Sequence, residues 1–136
     1  MGYTHYFRQH RDFTEAEWTA LTEYARKIVN AALCEKIELA NGDGEAGTDP
    51  EITRGQIMLN GVDDDAHETF LLTRRVTESF SFCKTQEKPY DPVVVTILVA
   101  ANTIAPDAIE ISSDGGPEAL VPQFTDRVPP PKLVRS

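Results

Sequence analysis

The chain has 136 residues and a formal net charge of -9 at neutral pH. That length suits one domain with its own core, needing neither disulfides nor metals. The charge argues against nucleic acid and anionic membrane as partners, and the longest uncharged run, Pro92 to Pro106, is too short to span a bilayer. Cys34 and Cys83 lie far apart and read as free thiols. The first twenty residues carry no apolar signal core, so a cytoplasmic location is expected.

Tyr3 to Arg8 reads as a strand, with Tyr3, His5 and Phe7 on one face and Thr4, Tyr6 and Arg8 on the other. Thr14-Glu-Ala-Glu17 is a capping box, and Phe13 with Trp18 forms a hydrophobic staple. The helix they open runs to about Leu33 with Trp18, Leu21, Ala25, Ile28, Val29 and Ala32 in one stripe. Lys36 to Ala40 is expected as a short strand, stopped by Asn41-Gly-Asp-Gly44. Gln56 to Asn60 is a further strand, closed by Asn60-Gly61 as a hairpin turn. His67 to Val76 and Ser79 to Lys84 follow as strands, the latter with Phe80 and Phe82 on one face.

Asp91-Pro92 marks a helix start, with Asp91 as N-cap. The helix to Ala105 is apolar nearly all round, which predicts burial in the core or in a subunit interface and makes a homo-oligomer the expected state. Ala108 to Ser112 is the last strand. Residues 1–120 are thus expected to form one α+β domain. A mostly antiparallel sheet with two helices on one face, in a ferredoxin-like or related two-layer sandwich, satisfies the order of elements. Residues 121–136 are a proline-rich tail, extended or mobile.

Charge changes sign along the chain. From Glu38 to Glu68 there are nine acids and one base, Arg54; Arg74, Arg75, Lys84 and Lys88 then follow. Residues 82–91 place Lys84, Thr85, Lys88 and Tyr90 just ahead of a helix N-terminus, where anions are favoured. The plainer reading is a solvated loop, and an Asp91 cap competes for the same amides. His5 and Tyr6 on the first strand, Asn41 and Asp43 in the glycine turn and His67 at a later strand complete the candidate ligand-binding set. Asn41-Gly-Asp-Gly does not keep the register of a calcium loop. His67 beside Asp63, Asp64 and Asp65 reads as a solvated turn rather than a cation site. No metal and no cofactor is implied. Cys83 is the one cysteine placed as a nucleophile, next to Lys84, but a buried small hydrophobe is the commoner role. No complete catalytic motif is present.

Gly-Tyr-Thr-His-Tyr (2–6), Phe-Thr-x-x-Glu-Trp (13–18), Asn-Gly-Asp-Gly-x-x-Gly-Thr-Asp-Pro (41–50), His-Glu-Thr-Phe (67–70), Phe-Cys-Lys-Thr-x-x-Lys-Pro-Tyr-Asp (82–91) and Ser-Ser-Asp-Gly (112–115) follow one another in this order. The chain resembles, over residues 2–115, an uncharacterised family of small phage, prophage and bacterial proteins. Phe7 stands where that family has tryptophan. The resemblance carries no activity with it. It implies that the polar motif residues, Asp114 among them, serve binding more than packing.

The expected function is therefore a phage-related, non-enzymatic protein in a bacterial host cell. It would bind or sequester a small anionic or nucleotide-derived molecule, such as an immune signal, with the lysines holding phosphate, Tyr90 or Tyr6 stacking on a ring, and Asn41 and Asp43 reading hydroxyls. Two alternatives stand beside it. One is a hydrolase or transferase with His5 or His67 as general base. The other is an acidic module that inhibits a basic host protein.

Overall fold

A computed structural model describes residues 3–134, so Gly2 of the first motif and the last two residues of the tail lie outside it. The elements are β1 (Thr4–Gln9), α1 (Glu15–Cys34), β2 (Glu51–Ile52), β3 (Gln56–Leu59), β4 (Phe70–Thr73), β5 (Phe80–Lys84), α2 (Asp91–Ile104) and β6 (Ile109–Ser113). This is an α+β fold, and among the described residues its strands pair only antiparallel. They divide into two three-stranded sheets, β5-β1-β6 and β2-β3-β4, rather than forming one sheet. The first strand is the centre of its sheet because both His5↔Cys83 and His5↔Ser113 lie in register.

Local chemistry sets α1. The Thr14 hydroxyl accepts from the Glu17 amide at 3.2 Å, and the Glu17 carboxylate accepts from the Thr14 amide at 2.8 Å. The Phe13 and Trp18 rings meet at 5.5 Å, closing the staple. Glu17 is buried, because the guanidinium of Arg11 forks onto its carboxylate at 2.8 and 3.0 Å. Arg11 also donates to Asp107 at 2.7 Å, tying the start of α1 to the turn before β6.

Four local expectations change. Residues 36–40 form no strand; only Ala40 pairs, in a lone bridge to Asn60. Asn60-Gly61 is no two-residue hairpin. Leu59 pairs with Phe70, and residues between them make a longer loop with a short 3-10 turn at Asp63–Asp65. Asn60 instead spends its buried side chain on that loop. Its amide nitrogen donates to the carbonyls of Gly42 and His67, both at 3.1 Å, and its oxygen accepts from the amides of Gly61 and His67. Third, Asp91 is the first residue of α2 and does not cap it.

The tail is the fourth. Phe124 and Val128 are buried in the main core. The Gln123 amide donates to the Thr96 hydroxyl at 2.8 Å, and the Val134 amide to the Ile104 carbonyl at 3.1 Å. The tail thus straps the helices and belongs to the packed unit. It also helps explain why α2 is apolar all round. Within one chain α2 packs against α1 and β6, with Val93, Val94, Ile97, Leu98 and Ala101 fully buried. That removes the reason to expect a homo-oligomer. Among the described residues no helix is long and apolar enough to cross a membrane.

Two predictions follow from this packing. Phe124→Ala empties a core position and is expected to cost about 3 kcal/mol, read as a melting temperature lower by about 10 °C. Arg11 holds the Glu17 carboxyl below its ordinary range. A carboxyl lowered in the folded state stabilises the fold fully above its unfolded value, and loses that contribution as pH falls through its folded value. Glu17→Gln keeps the capping box but not the charge, so the variant is expected to be about 1.5 kcal/mol less stable at pH 7. In urea melts that gap should close as the pH drops below about 4.

Candidate functional site

Residues 82–91 leave β5, turn, and enter α2. The Thr85 amide donates to the Tyr3 carbonyl at 2.9 Å, so the loop is anchored to the start of β1. Gln86 and Glu87 take positive φ, at 52° and 57°, to reverse the chain. Lys88 folds back and donates from Nζ to the Asp64 carbonyl at 3.0 Å. The expected stacking residue, Tyr90, is wholly buried. Its hydroxyl donates to the Glu68 carbonyl at 2.7 Å and its ring lies against Gly61, so it offers no face to a ligand. Gly61 has no room for a side chain: a Cβ there would collide with the Asp65 carbonyl. Tyr90 is a pillar joining the two loops, not a binding residue.

Cys83 sits beside it, buried, with Sγ donating to the Glu68 carbonyl at 3.6 Å. Burial, reinforced by the nearby Glu68 charge, pushes its thiol up to about 12. That excludes the thiolate a nucleophile needs. Lys84 does not lower it, because the lysine points to the other face of the strand.

Beneath the loop runs a chain of polar contacts. His5 is fully buried on β1. Its Nε2 donates to Asp91 Oδ1 at 2.5 Å, and its Nδ1 lies 2.9 Å from Ser113 Oγ on β6. Thr85, also buried, donates its hydroxyl to the same Asp91 oxygen at 2.5 Å. The helix-start carboxylate that sequence placed on the helix amides is therefore spent on His5 and Thr85 instead. The amides it was expected to occupy are left to the helix, and Thr85 and His5 are withdrawn from solvent.

Asn41, Asp43 and His67 lie with the second sheet. The Asn41 oxygen accepts from the amides of Asp43 and Glu45 at 3.1 and 3.4 Å, an Asx-type turn. Asp43 and His67 are exposed. The five main cavities take no lining from His5, Asn41 or Lys84, so the expected candidates do not gather around one pocket. Roomier grooves of about 350 and 430 Å³ run along α1, one beside β2 and one under the tail, away from every candidate.

What the sequence did not pick out is the outer face of the β5-β1-β6 sheet. Their apolar character should turn the phenylalanines of β5 inward. They point out, Phe80 at 43% and Phe82 at 56% exposure, while Ser81 and Cys83 point in. Tyr6 on β1 stacks near-parallel on Phe80, centroids 6.0 Å apart, and faces Phe82 across the ladder. Its hydroxyl donates to Asp114 at 2.9 Å. The Arg8 guanidinium lies 5.3 Å from the Phe80 ring centroid. Lys84 ends the same row, opposite Thr4. Among the described residues neither Arg8 nor Lys84 stands in an ion pair. A cavity of about 230 Å³ opens here, lined by Tyr6, Arg8, Phe80, Glu110 and Ser112 among others. The signal was present in the sequence: Phe80 and Phe82 share a face, as do Tyr6 and Arg8. Which face meets solvent is not written in alternation.

The class is thus a small α+β protein with two antiparallel sheets, one of them carrying an exposed aromatic face. Comparison with protein-family models, curated proteins and solved structures finds no match to the chain.

Thiol reactivity tests the placement of Cys83. Cys34 is exposed and Cys83 buried. Iodoacetamide on the native protein is expected to add one group, at Cys34, and two after denaturation. A second adduct on the native protein would show that Cys83 is accessible.

Proposed function

We propose that this protein binds a small anionic, ring-bearing ligand of the nucleotide type on the outer face of the β5-β1-β6 sheet. The observation that supports this reading is the inverted β5. Leaving two phenylalanines in water forgoes roughly 1.5–3 kcal/mol of burial for each, scaled by its exposure. Exposed aromatics gathered with polar neighbours are a common mark of an interaction surface. Tyr6, Phe80 and Phe82 offer flat faces for a base, and Arg8 and Lys84 offer cations for phosphate.

Two residues of the sequence-derived set, Tyr6 and Lys84, keep in this reading the roles first assigned to them, stacking and anion contact. The area suits one or two nucleotides rather than a polymer. A net charge of -9 opposes a long polyanion, while two local cations suffice for a short one. Glu110 at the rim of the cavity would take a ribose hydroxyl or an exocyclic amine.

Isothermal titration with adenosine and guanosine mono- and triphosphates and with cyclic dinucleotides tests this. At least one is expected to bind, and Phe82→Ala is expected to weaken it about tenfold, the worth of one base stack. Lys84→Ala should weaken phosphorylated members and leave the bare nucleoside unaffected. Since both side chains are at least partly exposed, neither change should lower the melting temperature by more than a degree or two. No heat and no thermal shift across the whole panel would sink the reading.

A further inference from the structure

We infer that Ser113 is an activated nucleophile, forming with His5 and Asp91 a site for acyl transfer from small esters. This does not rest on the aromatic face. Ser113 shares the inward parity of β6 with Ile109 and Ile111, whereas Ser112 and Glu110 belong to the outer face.

The donor inventory assigns the protons. As a carboxylate, Asp91 can only accept. Its Oδ1 lies 2.5 Å from His5 Nε2, so that nitrogen carries the hydrogen. In a neutral imidazole the other nitrogen, Nδ1, then holds a lone pair. It lies 2.9 Å from Ser113 Oγ, which donates to it in that tautomer. The alternative acceptor for that hydroxyl, the Thr4 carbonyl, is 3.5 Å away. Thr85 donates a second hydrogen bond to Asp91 Oδ1 and so keeps the carboxylate aimed at the ring. The edge of the pair Tyr3 and His5, with ring centroids 5.1 Å apart and planes at 89°, blocks rotation of the imidazole.

The middle of this chain is its driest point. His5 is 0% exposed, the Asp91 side chain 17%, and Ser113 is half-buried at the end of its strand. The base is dry, so its contact with the carboxylate is not screened by water; the nucleophile is the end that reaches solvent. One backbone donor lies beside Oγ: the Gly115 amide donates to it at 3.2 Å. It is placed to follow negative charge that forms next to Ser113. The arrangement has the logic of a Ser-His-Asp relay with the two ring nitrogens exchanged, Nδ1 facing the serine and Nε2 the acid.

The step balances. Ser113 Oγ bonds to the ester carbonyl carbon while its proton passes to His5 Nδ1. The carbonyl π pair moves to oxygen, then returns as the alkoxide leaves, and the alkoxide takes the proton from Nδ1. Water, deprotonated by the same nitrogen, attacks the acyl-serine; the acid departs and Ser113 regains its proton.

A fluorophosphonate reads the nucleophile directly. Oγ bonds to phosphorus, the P–F bond breaks, fluoride leaves, and the proton goes to Nδ1. Full-length protein treated with excess probe is expected to gain one adduct, mapped to Ser113 by peptide mass spectrometry and absent in Ser113→Ala. Asp91→Asn, which favours the opposite tautomer, is expected to slow labelling by about 100-fold or more. Should that variant fail to fold by circular dichroism, Thr85→Val replaces it, with labelling about tenfold slower for the loss of one charge-assisted donor. Folded wild-type protein that takes no adduct at Ser113, or a folded variant that labels as fast as wild type, overturns the inference.

Discussion

One carboxylate oxygen holds four segments together. Asp91 Oδ1 accepts from His5 on β1 and from Thr85 after β5, each at 2.5 Å, and His5 reaches on to Ser113 at the end of β6. Because Asp91 opens α2, this fixes the start of that helix over the middle strand of the β5-β1-β6 sheet. Two of the donors are fully buried, and a buried polar group left without a partner costs more than its bond contributes. The network therefore has few alternative arrangements. Moving α2 by one residue, or slipping β1 by one in its ladder, would leave His5 and Thr85 unpaired in the interior.

That polar end explains why the sheet is built with its aromatics outside. At the other end of its inner face, Phe7 packs on Phe70 of the second sheet, ring centroids 6.0 Å apart. The parity that puts Phe7 inside also puts His5 and Gln9 inside and Tyr6 and Arg8 outside. On β5 the same ladder puts Cys83 opposite His5 and Phe82 opposite Tyr6. Once His5 has to meet Asp91, Phe80 and Phe82 have only the outer face left. The cost is exposed apolar surface; the consequence is an aromatic face flanked by two cations.

The rest of the core is shaped around α2. A helix apolar on every side needs a cover on every side, and here α1, β6 and the returning tail supply it. Tyr90 and Asn60 complete the end of the core by joining loops that have no strand pairing of their own. Tyr90 does so through its bond to Glu68, and Asn60 through four bonds to Gly42, Gly61 and His67.

The sequence by itself determined what depends on near neighbours. Thr14 and Glu17 are three residues apart, so α1 was readable from one turn of chain, and β1, β3, β4, β5, α2 and β6 followed from local patterning, whereas the two-residue β2 at Glu51–Ile52 did not. Tertiary structure decided whatever depended on distant partners. Asp91 looked like a cap because the sequence does not show that His5, 86 residues away, would claim its carboxylate. Tyr90 looked like a stacking residue because burial is a property of the assembled core. Asn60-Gly61 looked like a hairpin because nothing local reveals the loop that the asparagine organises. The tail looked free because Pro129 to Pro131 mark an extended segment, and nothing local shows that Phe124 and Val128 find the core. Alternation fixed which residues of β5 share a side; only the requirement to pair a buried histidine decided which side met water.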